Sequence, residues 1–199
     1  MTMAAARLLT LADGLSALVT WVGRAAAWLA IPMMLVILAD VVLRRYFVIG
    51  SVKLQELEWH LHGALFLLCL GYAYARDAHV RIELIHERFP PALKAWVELV
   101  GCAAFLLPYC GAILYFGVDY AWLAFERAEV SASQTGLGAR WMIKSLLVVG
   151  FALLAAAALS RLIKAAVYLF GPDAVRPRTG FETMAPTQPE PGLDVAVRD

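Results

Sequence analysis

The sequence predicts an all-α membrane protein, with an N-terminal interfacial amphipathic helix followed by four transmembrane helices. Two observations predict it. Of 199 residues, 62% are hydrophobic and 17% charged, with a mean hydropathy of +0.71, whereas a soluble domain carries roughly 45–50% apolar and about 25% charged residues. Such an excess cannot be hidden in one soluble core of this size and requires lipid as solvent. The apolar residues also gather in runs of about twenty, the length that carries a helix across about 30 Å of hydrocarbon. A net charge of +1 leaves no basic stripe for a nucleic acid.

Taken in order, the first element is the interfacial helix, expected over about residues 5–24. Leu8, Leu11, Leu15, Leu18 and Val22 share one helical face, opposite Thr10, Asp13, Thr20 and Arg24. Asp13 argues against a cleaved signal peptide, as does the direct continuation into another apolar run. The first crossing follows at about 25–43, with Pro32 inside it, Asp40 near its end, and Arg44, Arg45, Tyr46 and Phe47 at the interface beyond.

The second crossing spans about 57–75 and opens on Glu58 and His60. The third spans about 96–118, with twenty charge-free residues from Leu99 to Val118 and a bend expected at Pro108. The fourth spans about 141–160, with Lys144 snorkelling at one end and Arg161 and Lys164 at the other. Residues 1–170 thus form one four-helix membrane domain. From Gly171 the chain turns proline-rich and polar, and 171–199 are expected to be a disordered cytoplasmic tail. Short runs of small residues, Gly71–Ala75 and Gly101–Ala104, offer surfaces for close helix approach. Lys and Arg number eleven on the side of the termini and the 76–94 connection, against six on the other, placing both termini in the cytoplasm.

Chemistry is sparse. Cys69, Cys102 and Cys110 lie in apolar runs with no CxxC pair, as buried inert thiols do. All four histidines fall between positions 60 and 86, which denies a haem its facing ligands, and His60 and His62 point about 200° apart on a helix. Asp40, Glu58, Glu98 and Asp119 all lie near predicted membrane edges, whereas a coupling-ion site belongs near the midplane. No nucleophile elbow, phosphate loop or metal cluster is present, so neither an enzyme nor a cofactor is expected. A partner subunit fits better than a complete transporter. A stand-alone small exporter built on Glu58, or a structural subunit of another membrane complex, are the alternatives.

Three motifs carry a resemblance: Leu54-Gln55-Glu56-Leu57-Glu58-Trp59-His60 at the start of the second crossing, Asp77-Ala78-His79-Val80-Arg81-Ile82-Glu83 after it, and Glu129-Val130-Ser131 through Ala139-Arg140-Trp141-Met142-Ile143-Lys144. Over roughly residues 7–168 the chain resembles the small membrane subunit of tripartite ATP-independent periplasmic (TRAP) transporters, of the DctQ type. The third motif is most similar to members grouped with mannitol or chloroaromatic uptake, although its loop lacks the prolines found there. The resemblance implies a bacterial inner-membrane protein that binds a large permease subunit. A periplasmic solute-binding protein would deliver an organic acid or related solute, taken up with sodium.

Interface roles are then expected for seven residues. His79, Arg81 and Glu83 would meet the large subunit or lipid head groups at the cytoplasmic edge. Glu58 would pair with Arg44, Arg45 or Lys53. Glu129 and Arg140, with Glu126 and Arg127, would stand exposed in the periplasmic connection 119–140, near the binding protein, and Lys144 closes the same motif.

Overall fold

The computed structural model describes residues 2–78 and 89–181, and among these every regular element is helical. Among the described residues six α-helices follow one another: α1 (Thr2–Ala27), α2 (Ala30–Tyr46), α3 (Val52–Ala75), α4 (Pro91–Val100), α5 (Leu107–Glu126) and α6 (Trp141–Phe170). A π-helical turn, Gly101–Leu106, joins α4 to α5, and a 3-10 helix, Asp173–Thr179, follows α6.

Two prolines explain how these helices break. Pro32 has no N–H, and its ring collides with the carbonyl four residues earlier, that of Trp28. There the chain tightens: Ile31 N–H bonds the Trp28 carbonyl at 3.2 Å and Leu29 N–H the Ala26 carbonyl at 2.9 Å. The first expected crossing is therefore divided at Trp28–Leu29, and Thr2–Tyr46 forms one rod with a short break. Pro108 sits in the first turn of α5, and the π turn before it widens the helix so that Leu107 N–H reaches the Cys102 carbonyl. The third stretch is accordingly a helical rod from Pro91 to Glu126, longer at both ends than the 96–118 expected.

Three helical stretches are long and apolar enough to cross a membrane: Thr2–Tyr46, Pro91–Glu126 and Trp141–Phe170. Helix α3 is not among them, its first turns carrying Lys53, Glu56, Glu58, His60 and His62.

Helix α6 is the spine, packing against α1, α3, α4 and α5. It runs parallel to α3. Gly63 faces Ile143, Gly150 faces Leu67, and Gly71 faces Leu153. A Cβ on Gly150 would stand 2.7 Å from the Leu67 carbonyl oxygen, and one on Gly71 2.9 Å from that of Leu153. Glycine at both positions lets the two backbones touch. Gly101, by contrast, has nothing within 4 Å of a would-be Cβ; it opens the π turn instead of packing a helix pair.

The other rods run antiparallel to this pair. Along α4 and α5, Ala95 meets Ala165, Tyr109 meets Phe151 edge-on at 5.8 Å, and Phe125 meets Trp141 at 5.4 Å. Along α1, Leu9 packs on Val167, the Ser160 hydroxyl donates to the Ala12 carbonyl at 2.7 Å, and Val19 packs on Leu153 and Ala157. Helix α2 continues down α3, with Arg44 reaching Gln55. Residues 2–13 and 160–181 thus share one end of the bundle, and the connections 47–51 and 127–140 share the other.

In α1 the buried face is not the leucine stripe. Ala5, Leu9, Ala12, Val19, Gly23 and Ala26 are buried, whereas Leu8, Leu11 and Leu18 are about half exposed. Small residues let α1 lie against α3 and α6, and the larger ones face outward. Order also persists past Gly171, where composition suggested that structure ends. Val175 packs on Leu9, and Phe181 is 1% exposed beside Ala95, Ala165 and Tyr168.

Gly150→Val should part α3 from α6 and cost about 1–3 kcal/mol in unfolding from mixed micelles. Gly111→Ala, at a site with nothing within 4 Å, should stay within about 0.5 kcal/mol. Phe181→Ala should cost about 3 kcal/mol locally, read as faster tryptic cleavage after Arg178.

Candidate interface and the two polar ends

Charged side chains collect at the two ends of the bundle. At the connection end, Asp40 is 6% exposed on the face of α2 toward α3, and its Oδ2 accepts from Arg44 at 2.6 Å. Arg44 also donates to the Gln55 amide oxygen at 2.7 Å. Arg44 is thus taken by its own helix and by Gln55. Glu58 does not pair with Arg44, Arg45 or Lys53, and among the described residues it has no ion-pair partner. It lies instead in an open cleft of about 350 Å³ between α2 and α3, with Met33, Ile37, Trp59 and His62.

Glu56 holds the 127–140 connection. Its carboxylate accepts from the Ser131 hydroxyl and, at 2.6 Å, from the Leu137 N–H. The loop is closed on itself around this carboxylate, with Ser131 N–H on the Leu137 carbonyl (3.1 Å) and Gly136 N–H on the Ser133 carbonyl (3.1 Å). A Cβ at Gly136 would collide with Ser131 Cβ and stand 2.7 Å from Glu56 Oε2, so glycine there lets Ser131 sit against the carboxylate. The Ser131 hydroxyl, then the Leu137 N–H, with Arg140 and His60 nearby, hold the Glu56 carboxyl below its ordinary value of 4.5. On the same helix, His60 Nδ1–H donates to the Glu56 carbonyl at 2.6 Å, while His62 is exposed in the α2–α3 cleft.

Glu129, Arg140 and Lys144 are brought together. Lys144 pairs with Glu129 and stands 3.8 Å above the Tyr120 ring, and Arg140 N–H bonds the Glu129 carbonyl at 3.1 Å. Of the four charges expected to stand exposed, Glu129 and Arg140 are half-buried, whereas Glu126 is exposed and accepts from Trp122 Nε1–H at 2.8 Å. Arg127 is exposed as expected.

At the terminal end, Arg161 pairs with Asp77, Lys164 with Asp13 at 2.8 Å, and Arg176 with Asp173 at 2.7 Å. The Tyr74 hydroxyl donates to Glu98 at 2.9 Å and lies 3.0 Å from Cys102 Sγ, and Lys94 is 3% exposed. His79, Arg81 and Glu83 lie outside the described residues. Among the described residues, no three of His, Cys, Asp and Glu converge to hold a metal ion. Glu56, Asp77 and Asp13 are the anchoring acids that sequence reasoning passed over. The available signs were Glu56 and Asp77 standing inside the Leu54–His60 and Asp77–Glu83 motifs, and Asp13 on the polar face of the first helix.

The Glu56 contacts carry a pH dependence. Because its folded pKa lies below the unfolded one, the carboxylate stabilises the docked loop fully above pH 4.5 and loses that effect as pH falls through the folded value. Glu56→Gln should lower the hydrogen-exchange protection of the Leu137 amide by about tenfold at neutral pH. Wild type should lose the same protection below pH 4.5, and Glu58→Gln should leave it unchanged.

No curated protein matches the chain. A family model does: that of tripartite ATP-independent periplasmic transporters, DctQ component, which matches residues 33–167. The matched stretch starts at the second residue after Ile31 in α2, leaving α1 outside it, and ends near the close of α6. With more than half its length so matched, and with helices able to span a bilayer, this chain belongs to the DctQ family of small membrane components of TRAP transporters.

Proposed function

We propose that the chain crosses the bacterial inner membrane four times with both termini inside. There it would scaffold the large permease subunit of a sodium-driven TRAP transporter. The solute, an organic acid or a relative of one, would arrive on a periplasmic binding protein. The observation that carries this proposal is the spacing of charges along the rods. Arg24 and Arg44, Glu56 and Arg76, Glu98 and Asp119, and Arg140 and Arg161 each stand about twenty residues apart on their rods, which at 1.5 Å per residue is about 30 Å. That spacing includes α3 and supports four crossings. The richer share of Lys and Arg at the terminal end supports a cytoplasmic position for that end.

A scaffold role agrees with what lies between these levels. Residues 99–118 on α4 and α5 and 145–160 on α6 carry no charge, so these two rods offer no mid-depth group to bind a coupling ion. Helix α2 packs mainly on α3 and turns Ile31, Met34, Leu35, Leu38 and Val41 outward. Beside them Trp59 is 79% exposed and Phe66 61%. The large subunit would cover this flank, where Glu58 and His62 offer polar contacts in an otherwise apolar wall. Arg127 and the loop clasped by Glu56 would face the binding protein. His79, Arg81 and Glu83 keep their proposed place at the cytoplasmic edge.

Co-expression with a candidate large permease subunit should give a complex that co-purifies. Sodium-dependent uptake should require both chains and the binding protein. Trp59→Ala should weaken co-purification by about tenfold or more while leaving the unfolding of the isolated chain unchanged. Full uptake without this chain, or proton-linked export by this chain alone, would overturn the proposal.

A further inference from the structure

Between α1 and the end of α3 lies an open cleft of about 490 Å³ into which Arg24 and Arg76 both turn. Three other arginines of this end are paired: Arg161 with Asp77, Arg176 with Asp173, and Arg178 with Asp13 at 3.6 Å. Arg24 and Arg76 are exposed and, among the described residues, have no carboxylate partner. Arg76 is held over the Tyr72 ring at 5.8 Å, which orients its guanidinium without neutralising it. Ser16 and Thr20 present hydroxyls to the same cleft, and neither hydroxyl is hydrogen-bonded to a described residue. Asp13 is the one acid in the lining, and Lys164 at 2.8 Å and Arg178 at 3.6 Å offset its charge. The cleft therefore offers two uncompensated guanidinium forks and two hydroxyl donors, the donor set that a phosphate ester takes.

The surroundings indicate what kind of phosphate ester. Arg76 stands at the charged level of the terminal end, next to the Asp77–Arg161 pair, where lipid head groups lie in the four-crossing placement. Arg24, adjoining the Gly23 that packs on Cys69 and Tyr72 a turn or two deeper, lines the same cleft. Trp21, in the cleft wall, is 70% exposed, and Trp28, just past the end of α1, is 71% exposed. Tryptophan prefers the head-group layer, and an apolar helix surface below it suits acyl chains. We infer that this cleft binds the head group of an anionic phospholipid, with Arg24 and Arg76 on the phosphate, Ser16 and Thr20 donating to its oxygens, and the chains lying along α1. Basic pockets between membrane helices take anionic head groups in this way. The site draws on the placement of the charged levels but on no partner subunit. It is therefore measured on this chain alone, and a failure there leaves the transport proposal standing.

The full chain in nonionic micelles is titrated with phosphatidylglycerol and, separately, with phosphatidylcholine, and bound lipid is read by native mass spectrometry. One phosphatidylglycerol should bind with preference over phosphatidylcholine. The double variant Arg24→Gln/Arg76→Gln should weaken it by about tenfold or more, and the double lysine variant should keep most of the binding. Arg127→Gln, at the other end of the bundle, should bind as wild type does. Unchanged helicity and elution of the glutamine variant show that the loss is not one of folding. Equal binding of the two lipids, or no loss in the glutamine variant, overturns the inference. So does full displacement of phosphatidylglycerol by excess inorganic phosphate, which would assign the cleft to a soluble anion.

Discussion

The arrangement depends on the parallel contact between α3 and α6. In lipid no hydrophobic force drives two helices together, so their association rests on packing and interhelical hydrogen bonds. Gly71 and Gly150 supply the packing by removing the side chains that would otherwise separate Leu153 from α3 and Leu67 from α6. Two parallel neighbours cannot be joined by a tight turn. The chain must return between them, and the Pro91–Glu126 rod is that return. The contact therefore dictates that α4 and α5 run antiparallel on α6, and that the two ends of the bundle are chemically separate.

Each end is then closed by charges that sit where water or head groups can reach them. At one end Glu56 draws Ser131 and Leu137 onto the first turn of α3, and Lys144 ties Glu129 to the start of α6. At the other, Asp77 and Asp13 tie the end of α3 and the middle of α1 to Arg161 and Lys164. In these pairs Lys144, Arg161 and Lys164 are only 12–19% exposed, and they set register and loop position on a bundle that packing already holds. A bundle braced at both ends fits the scaffold role proposed for it. In the proposed assembly, the outward apolar flank of α2 is where the partner would gain contact area.

Much of this was legible in the sequence. Charge-free runs such as Leu99–Val118 announce a membrane helix whatever it packs against, because the bilayer itself is the solvent. Asp40 stands one turn before Arg44, a spacing from which their local pairing can be read. What depended on distant segments was not legible. Glu56 and Glu58 are two residues apart and so point to opposite sides of α3; only the folded 127–140 loop selects Glu56. The leucine stripe of α1 is its most regular pattern, yet the smaller residues beside it are the ones buried, because close approach rewards small size. Phe181 follows a proline-rich stretch whose composition argues for disorder, and its place beside Ala95 and Ala165 is a property of α4 and α6. The break at Trp28–Leu29 was recoverable, since a proline acts on the carbonyl four residues before it.

The four-crossing placement is tested most directly by single cysteines in a background lacking Cys69, Cys102 and Cys110, labelled in whole cells with a membrane-impermeant thiol reagent. Ser133→Cys, in the loop held by Glu56, should label from outside. Asp173→Cys, after α6, should label only once the inner membrane is opened. Labelling of both positions from the same side would contradict the placement, since the two ends of the bundle could not then lie across a bilayer from each other.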